Sequence, residues 1–188
     1  MRKPGPKRIM IVDDQIIILE GLSALLNGDP EFVVVGTANS GEMALKMLGK
    51  LWPDVVVMDI SMPPGMDGIE TTARIKQVRP ECQVLMLSMY HKADMVNDAL
   101  NAGASGYVLK NTTQAQFKEA LRTVAQRMRF LSPEVEKDLA AVPVRPRVDK
   151  QPVVISLTTR EKEIIKMIVR ESTTAQIAER MGISARCV

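Results

Sequence analysis

The stretch Asp54-Val55-Val56-Val57-Met58-Asp59 and the loop that follows it, Ile60-Ser61-Met62-Pro63-Pro64-Gly65-Met66-Asp67-Gly68, indicate the fold of this 188-residue chain. A short apolar run rich in β-branched residues is typical of a strand buried on both faces of a parallel sheet. In open α/β sheets, ligands bind beyond the carboxyl ends of the strands, so Asp59 would lie at that edge. An Asp that only interacts with solvent at the end of a strand is an equally good explanation. Whether Asp59 is functional depends on which residues end the other strands.

Similar patterns repeat on both sides of this stretch. Apolar runs predict further strands at 8–12, 32–36, 83–87 and 107–109, and helical periodicity predicts helices at about 16–27, 40–50, 68–78, 92–101 and 113–128. Five alternating strand–helix units predict an α/β fold, a doubly wound five-stranded parallel sheet with helices on both faces.

The pattern changes after about residue 129. Ser132-Pro133-Glu134 predicts the start of a short helix, and three prolines spaced among basic residues in 142–153 predict an extended linker. Beyond it, Thr158-Thr159-Arg160-Glu161 and Thr173-Thr174-Ala175-Gln176 are capping boxes, which predict helices only. We therefore expect a disordered basic tail at 1–7, an α/β domain at 8–129, a linker with a short helix at 130–156 and a partial all-α domain at 157–188.

Charge and cysteine content narrow the class of protein. Residues 145–188 carry nine basic and five acidic residues, so a polyanionic partner would meet this part of the chain. Cys82 and Cys187 lie far apart and fit no metal or redox spacing, which favours a reduced, cytoplasmic protein. The sequence contains neither a signal-peptide core nor an apolar run of membrane-spanning length, so we expect no membrane partner.

Polar side chains end four of the predicted strands at one edge of the sheet. They are Asp13 and Asp14, Asp59, Ser88 and Lys110. Three carboxylates in one cleft repel each other, and a divalent cation such as Mg²⁺, which prefers oxygen ligands, relieves that repulsion. Asp59 is then suited to attack a phosphoryl group. Lys110 would supply a positive charge and Ser88 a hydroxyl donor to the transferred group.

Residues 8–128 resemble the receiver domain of two-component response regulators. The matching motifs are Val12-Asp13-Asp14, Met58-Asp59-Ile60 with Met62-Pro63, Leu87-Ser88 and Gly106-Tyr107-Val108-Leu109-Lys110. The resemblance implies a flavodoxin-like strand order of 2-1-3-4-5 and phosphorylation of Asp59 by a sensor histidine kinase. It implies that Mg²⁺ is held by Asp13, Asp14, Asp59 and the backbone carbonyl of Ser61. It also implies a switch in which the Ser88 hydroxyl moves to the phosphoryl group and the Tyr107 ring turns inward.

One departure from the family pattern is visible. The loop after Met62 carries Pro63-Pro64-Gly65, one residue more than the commonest spacing. We expect a local change in this loop and an intact site.

Residues 157–188 resemble the start of the LuxR-type helix-turn-helix of NarL/FixJ response regulators. Leu157-Thr158-Thr159-Arg160-Glu161 and Gln176-Ile177-Ala178-Glu179-Arg180-Met181-Gly182-Ile183-Ser184 carry this likeness. The resemblance implies a third helix that enters the DNA major groove, of which Ser184, Ala185 and Arg186 are the candidate contacts. The sequence holds only the beginning of that helix, so we expect an incomplete domain. Dimerisation is expected, with exchange of this segment between protomers as one route.

Three classes of function follow. The leading hypothesis is a phosphorylation-switched transcription regulator, not a turnover enzyme. The alternative is a phosphorylation-dependent protein-interaction switch whose truncated helix-turn-helix cannot bind DNA specifically. An aspartyl phosphatase or a nucleotide binder is disfavoured. The phosphatase would need a second Asp at Ser61, and the nucleotide binder would need glycines where Asp13-Asp14-Gln15 stands.

Overall fold

The order of elements along the chain alternates between strands and helices. In this computed structural model, residues 5–141 are described. Residues 1–4 of the tail predicted at 1–7, the extended linker, and the helix-turn-helix with Ser184, Ala185 and Arg186 lie outside the described residues. The predicted tail was wrong at its last residue, because Lys7 begins the first strand and pairs with Phe32. The strands are β1 (Lys7–Val12), β2 (Phe32–Ala38), β3 (Val55–Asp59), β4 (Gln83–Ser88), β5 (Gly106–Leu109) and β6 (Phe130–Leu131). The helices are α1 (Ile16–Leu26), α2 (Gly41–Leu51), α3 (Gly68–Val78), α4 (Ala93–Asn101), α5 (Gln114–Ala125) and α6 (Pro133–Ala141).

All strands run parallel in one sheet of order β2-β1-β3-β4-β5-β6. The predicted fold class and the order of the first five strands are confirmed. Because the chain crosses from β1 to β2 on one side and to β3 on the other, β1 and β3 lie next to each other at the centre. Their carboxyl ends, with those of β4 and β5, form one edge of the sheet, which we call the carboxyl edge.

The central strands β3, β4 and β5 and most of β1 are buried on both faces, as their continuous apolar runs predicted, whereas the edge strand β2 is mostly half-buried. Alternate side chains point to opposite sides of the sheet. On one side, Ile9, Ile11, Val55 and Val57 pack with residues of α1 and α5. On the other side, the intervening residues of the same strands pack with α2, α3, α4 and α6.

The sixth strand was not predicted. Phe130 pairs with Gly106 and Leu131 with Tyr107, which extends the sheet beyond β5. A strand of two residues leaves no periodic signal in the sequence, and its formation depends on the free edge of β5. The helix that follows was predicted, but its packing on the sheet was not. Val135 of α6 is fully buried in the same apolar cluster as Tyr107.

Helix α5 ends three residues before its predicted end at Met128. Arg127 adopts a left-handed backbone conformation with φ of 63°. The Arg127 N–H donates to the Val124 carbonyl and the Met128 N–H to the Thr123 carbonyl. This is the Schellman arrangement that terminates helices, usually at glycine. Met128 is therefore half exposed and does not continue the apolar stripe.

Within the described part of the chain, no helix combines the length and apolarity needed to cross a membrane.

Candidate functional site

Three aspartates meet at the carboxyl edge. Asp59 is the last residue of β3, and Asp13 and Asp14 directly follow the adjacent strand β1. One carboxylate oxygen from each lies within 4.8 Å of the other two. Asp13 and Asp59 are buried, with exposed fractions of 1% and 4%. The parallel pairing of β1 with β3 brings together residues that are 45 or more positions apart in the sequence.

The local backbone holds Asp13 in place. Its N–H donates to the Ala38 carbonyl across 3.1 Å, which extends the β1–β2 ladder by one residue. Its Oδ1 accepts from the Gln15 N–H across 2.9 Å, at the start of α1. Oδ2 remains directed at the centre of the site.

Lys110 brings the positive charge that the sequence predicted. It follows β5, and its N–H donates to the Ser88 carbonyl across 2.8 Å. Its Nζ lies 2.7 Å from Asp13 Oδ2 and 3.1 Å from Asp59 Oδ1, with 9% of its side chain exposed. Burial works against the charge on Lys110. Its contacts with Asp13 and Asp59 outweigh burial and raise the pKa of its ammonium group.

One ammonium group does not balance three carboxylates. Burial raises the pKa of the Asp59 carboxyl, contact with Lys110 lowers it, and the nearby charge of Asp13 adds to the rise. Oδ1 of Asp14 is buried and has no hydrogen-bond partner among residues 5–141. A buried carboxylate oxygen is costly to leave unpaired. The donor set, all oxygen and net negative, therefore fits a hard divalent cation such as Mg²⁺.

Ser88 and Tyr107 lie beside this cluster and share one partner. Ser88, at the end of β4, is 2% exposed, and its Oγ accepts from the Tyr90 N–H across 3.0 Å. Tyr107 of β5 is fully buried, and its hydroxyl donates to the Tyr90 carbonyl across 2.6 Å. Burial raises the pKa of the Tyr107 hydroxyl, and the nearby Ser88 hydroxyl partly offsets the rise. The ring is turned inward in this structure.

The backbone of Tyr90 is a part of this site that the sequence did not reveal. Its side chain is more than half exposed, while its N–H and carbonyl serve the two switch candidates. Backbone groups are present at every residue, so no sequence signal distinguishes this one.

The loop between β3 and α3 directly follows Asp59 in the chain. Ser61, the predicted source of a carbonyl ligand, lies exposed in this loop, while Met62 and Met66 are buried. The Met66 N–H donates to Glu42 Oε1 across 2.9 Å, which ties the loop to the first turn of α2. Glu42 was not predicted to take part, because an acidic residue at a helix start is already explained by the helix dipole.

The chain is similar to known proteins over both of its predicted domains. Residues 9–122 match the response regulator receiver domain, and residues 155–188 match the luxR family of bacterial regulatory proteins. The chain is 33% identical over 181 residues to the response regulator GacA of Pseudomonas viridiflava, covering 96% of this chain and 84% of that protein. It is 33% identical over 186 residues to the oxygen regulatory protein NreC of Staphylococcus carnosus, covering 96% and 85%.

A solved structure agrees with the fold. The two-component response regulator of the LuxR family from Aurantimonas sp. SI85-9A1 is 34% identical, with a TM-score of 0.68, over 72% of this chain and 96% of that one. The relatives are regulators by name, in keeping with the expectation that this chain is not a turnover enzyme. The chain therefore belongs to the two-component response regulators of the NarL/FixJ family, in which a receiver domain precedes a LuxR-type DNA-binding domain.

Proposed function

We propose that Asp59 accepts a phosphoryl group from a sensor histidine kinase and that this modification switches a DNA-binding output. The observation that carries the proposal is the meeting of Asp13, Asp14 and Asp59 with Lys110 at the carboxyl edge. A structural ion pair alone would need one carboxylate per ammonium group. Two further carboxylates in the same cleft cost stability, which indicates a site kept for chemistry.

The proposed step is a transfer between two nucleophiles. A carboxylate oxygen of Asp59 attacks the phosphorus of a phosphohistidine. The P–N bond breaks, the imidazole nitrogen keeps its electron pair, and an acyl phosphate forms on Asp59. Lys110 Nζ contacts a phosphoryl oxygen, and the Ser88 hydroxyl donates to another. Water later cleaves the acyl phosphate to inorganic phosphate and the free carboxylate. Hydrolysis thus returns Asp59 to its unphosphorylated state and resets the switch.

Mg²⁺ is the proposed cofactor. The carboxylates of Asp13, Asp14 and Asp59 and the backbone carbonyl of Ser61 would hold it. When bound, it would neutralise charge on the phosphoryl oxygens. The unpaired Oδ1 of Asp14 supports this assignment, since coordination would give that oxygen a partner.

The proposed switch joins Ser88 to Tyr107. A phosphoryl group on Asp59 offers the Ser88 hydroxyl a charged acceptor, and charged acceptors form the stronger hydrogen bonds. When Ser88 moves, its Oγ no longer accepts the hydrogen bond from the Tyr90 N–H. The carbonyl of Tyr90 accepts the hydrogen bond from the Tyr107 hydroxyl, so both candidate switch residues contact the same backbone. The new charge therefore biases the loop after β4 between two conformations.

Intact-mass measurement tests the phosphoacceptor. The full chain is incubated with acetyl phosphate and Mg²⁺, and a gain of one phosphoryl group is expected. Asp59→Asn should abolish the gain. Asp94→Asn, which makes the same change at an exposed position on α4, should retain it. Lack of a gain in the wild-type chain would refute the proposal.

The proposed output is DNA binding through residues 155–188, with Ser184, Ala185 and Arg186 as candidate contacts. It rests on the family match, because these residues lie outside the described part of the chain. Gel-shift titration against promoter DNA, with and without acetyl phosphate, separates this output from the protein-interaction switch. Sequence-specific retardation supports the DNA-binding output, and its absence supports the interaction switch.

A homodimer is the proposed binding form, because helix-turn-helix proteins read paired half-sites. Exchange of residues 157–188 between protomers is one arrangement. A solution mass that stays monomeric at high concentration, with and without acetyl phosphate, would count against both.

A further inference from the structure

The loop from Met89 to Lys92, which we call the β4–α4 loop, lies between the phosphoacceptor site and helix α6. At its near end, Tyr90 binds Ser88 and Tyr107 through its backbone. Its other end leads into α4, whose Val96 and Ala99 are fully buried. The loop is thus positioned to move when Ser88 moves.

Helix α6 contacts both Tyr107 and helix α4. The Ser132 N–H, one residue before α6, donates to the Tyr107 carbonyl across 3.0 Å. Val135 is fully buried in the cluster that contains Tyr107, Val96 and Ala99. The first turn of α6 therefore rests on the switch tyrosine and on α4.

A polar contact links the β4–α4 loop to the second half of α6. His91 Nδ1, in the β4–α4 loop, contacts Oδ2 of Asp138 on α6, although 47 positions separate the two residues. About half of the His91 side chain and 40% of the Asp138 side chain are exposed. Val135 and the partly buried Leu139 pack α6 against the apolar cluster, and the contact of His91 with Asp138 adds a polar link in the second half of the helix.

We propose that Asp138 is a positioning residue that fastens α6 to the β4–α4 loop through His91 and loosens α6 when Asp59 is phosphorylated. The inference rests on the proposed phosphoacceptor function. Attraction of the Ser88 hydroxyl to the phosphoryl group removes the acceptor of the Tyr90 N–H, and the neighbouring His91 shifts with the backbone. Hydrogen bonds weaken steeply with distance and angle, so a small shift is sufficient to break the contact with Asp138.

Because the side chains of His91 and Asp138 are both partly exposed, loss of their contact should have a small effect on the stability of α6. A polar contact between half-exposed side chains contributes little to stability, so loss of the His91–Asp138 contact should not unfold α6. We expect the backbone amides of 135–141 to exchange about two- to fivefold faster once the contact is lost. This change shifts a population and leaves the fold intact.

Hydrogen exchange on the full chain, without phosphodonor, tests the contact itself. Asp138→Asn should speed exchange in α6 by the stated factor, and Asp138→Glu, which keeps the charge, should recover most of the protection. Glu136→Gln is the matched control, because it removes one carboxylate from an exposed position of the same helix. Equal exchange in the wild type and in Asp138→Asn would overturn the inference.

Addition of acetyl phosphate and Mg²⁺ tests the coupling. Exchange of α6 in the wild type should rise to the level of Asp138→Asn, with no further rise in that variant and no response in Asp59→Asn. Because His91 is the only histidine, its imidazole C–H resonances in tag-free protein report the contact directly. They should move on phosphorylation in the wild type and move less in Asp138→Asn, which has no contact with His91 to lose.

Phosphorylation of Asp59 and its coupling to α6 are tested by different measurements. Lack of a mass gain refutes the phosphoacceptor function and with it the coupling, while the phosphodonor-free comparison still decides whether Asp138 holds α6. A mass gain without faster exchange in α6 overturns the coupling and leaves the phosphoacceptor function standing.

Discussion

Lys110 Nζ lies 3.1 Å from Oδ1 of Asp59 and joins the ends of two strands that are not neighbours in the sheet. Strand β4 runs between β3 and β5, so the ion pair crosses its carboxyl end. The lysine also contacts Asp13 and thereby holds two carboxylates that would otherwise repel each other. The charge of Lys110 therefore stabilises the two carboxylates in the unphosphorylated protein.

Replacement of Lys110 by Met should show this double role. Without Mg²⁺, we expect the free energy of unfolding to fall by about 3 kcal/mol, because buried carboxylates lose their partner. Mg²⁺ should restore more stability in this variant than in the wild type, since no ammonium group competes for the carboxylates. Urea unfolding with and without Mg²⁺ measures both effects.

Lys118→Met is the control for that experiment. Lys118 Nζ forms a 2.7 Å ion pair with Asp29 Oδ2, away from the carboxyl edge. Its removal should lower stability by a smaller amount, equally with and without Mg²⁺. A Mg²⁺-independent loss in Lys110→Met would contradict the metal assignment.

Asp14→Asn should separate metal binding from stability. It removes one of three like charges, so the metal-free protein should gain about 1 kcal/mol of stability. Loss of a direct ligand should weaken Mg²⁺ binding roughly tenfold or more, since even outer-shell partners are worth that much. Titration calorimetry measures the affinity, with Asp94→Asn as the surface control. Unchanged Mg²⁺ affinity would remove Asp14 from the proposed ligands.

Gly68 is required by the close approach of the chain to Asp59. A Cβ at Gly68 would overlap the backbone carbonyl oxygen of Asp59, and no flexible side chain can yield there. Gly68→Ala should therefore cost about 3 kcal/mol or more and displace the phosphoacceptor. Thermal unfolding and the acetyl phosphate assay measure the two consequences.

Gly49→Ala is the matched substitution. Gly49 is exposed within α2, and an added Cβ meets no atom within 4 Å. The change should stabilise the protein by about 0.5–1 kcal/mol, because alanine is the better helix former. Equal losses at the two glycines would argue against the steric explanation.

Cys82 should resist alkylation in the folded protein. Burial raises the pKa of its thiol to about 11, so roughly one molecule in a thousand carries the thiolate at pH 8. In a Cys187→Ser variant, iodoacetamide should label Cys82 at least about a hundredfold faster after unfolding in urea. Comparable rates in the folded and unfolded protein would contradict its burial.

The same shift predicts the sign of a pH effect on stability. The folded protein keeps the Cys82 proton to a higher pH than the unfolded chain, whose thiol titrates near about 8.5. The unfolded state therefore binds fewer protons between that pH and about 11. Stability from the neutral thiol is complete below this range and decreases as the pH rises through it. Cys82→Ser should lack this component.

Local sequence patterns were sufficient for most of the fold. The valine run before Asp59 and its counterparts at the other strands predicted the parallel sheet, because strands covered on both faces need continuous apolar side chains. Ser40 caps α2 and Thr113 caps α5, and serine and threonine are among the residues that favour this position. The two-residue strand β6 and the early end of α5 at Ala125 were not predicted, since both depend on contacts that the periodicity of the sequence does not describe.

The sequence by itself determined which side chains reach the carboxyl edge, because each strand ends where its apolar run meets a polar residue. Asp13, Asp14, Asp59, Ser88 and Lys110 follow from that local rule. Only the tertiary structure decided how they pair. It placed Lys110 between Asp13 and Asp59, left Oδ1 of Asp14 without a partner and brought His91 to Asp138. Such contacts join residues far apart in the chain, and their geometry depends on how the strands and helices pack.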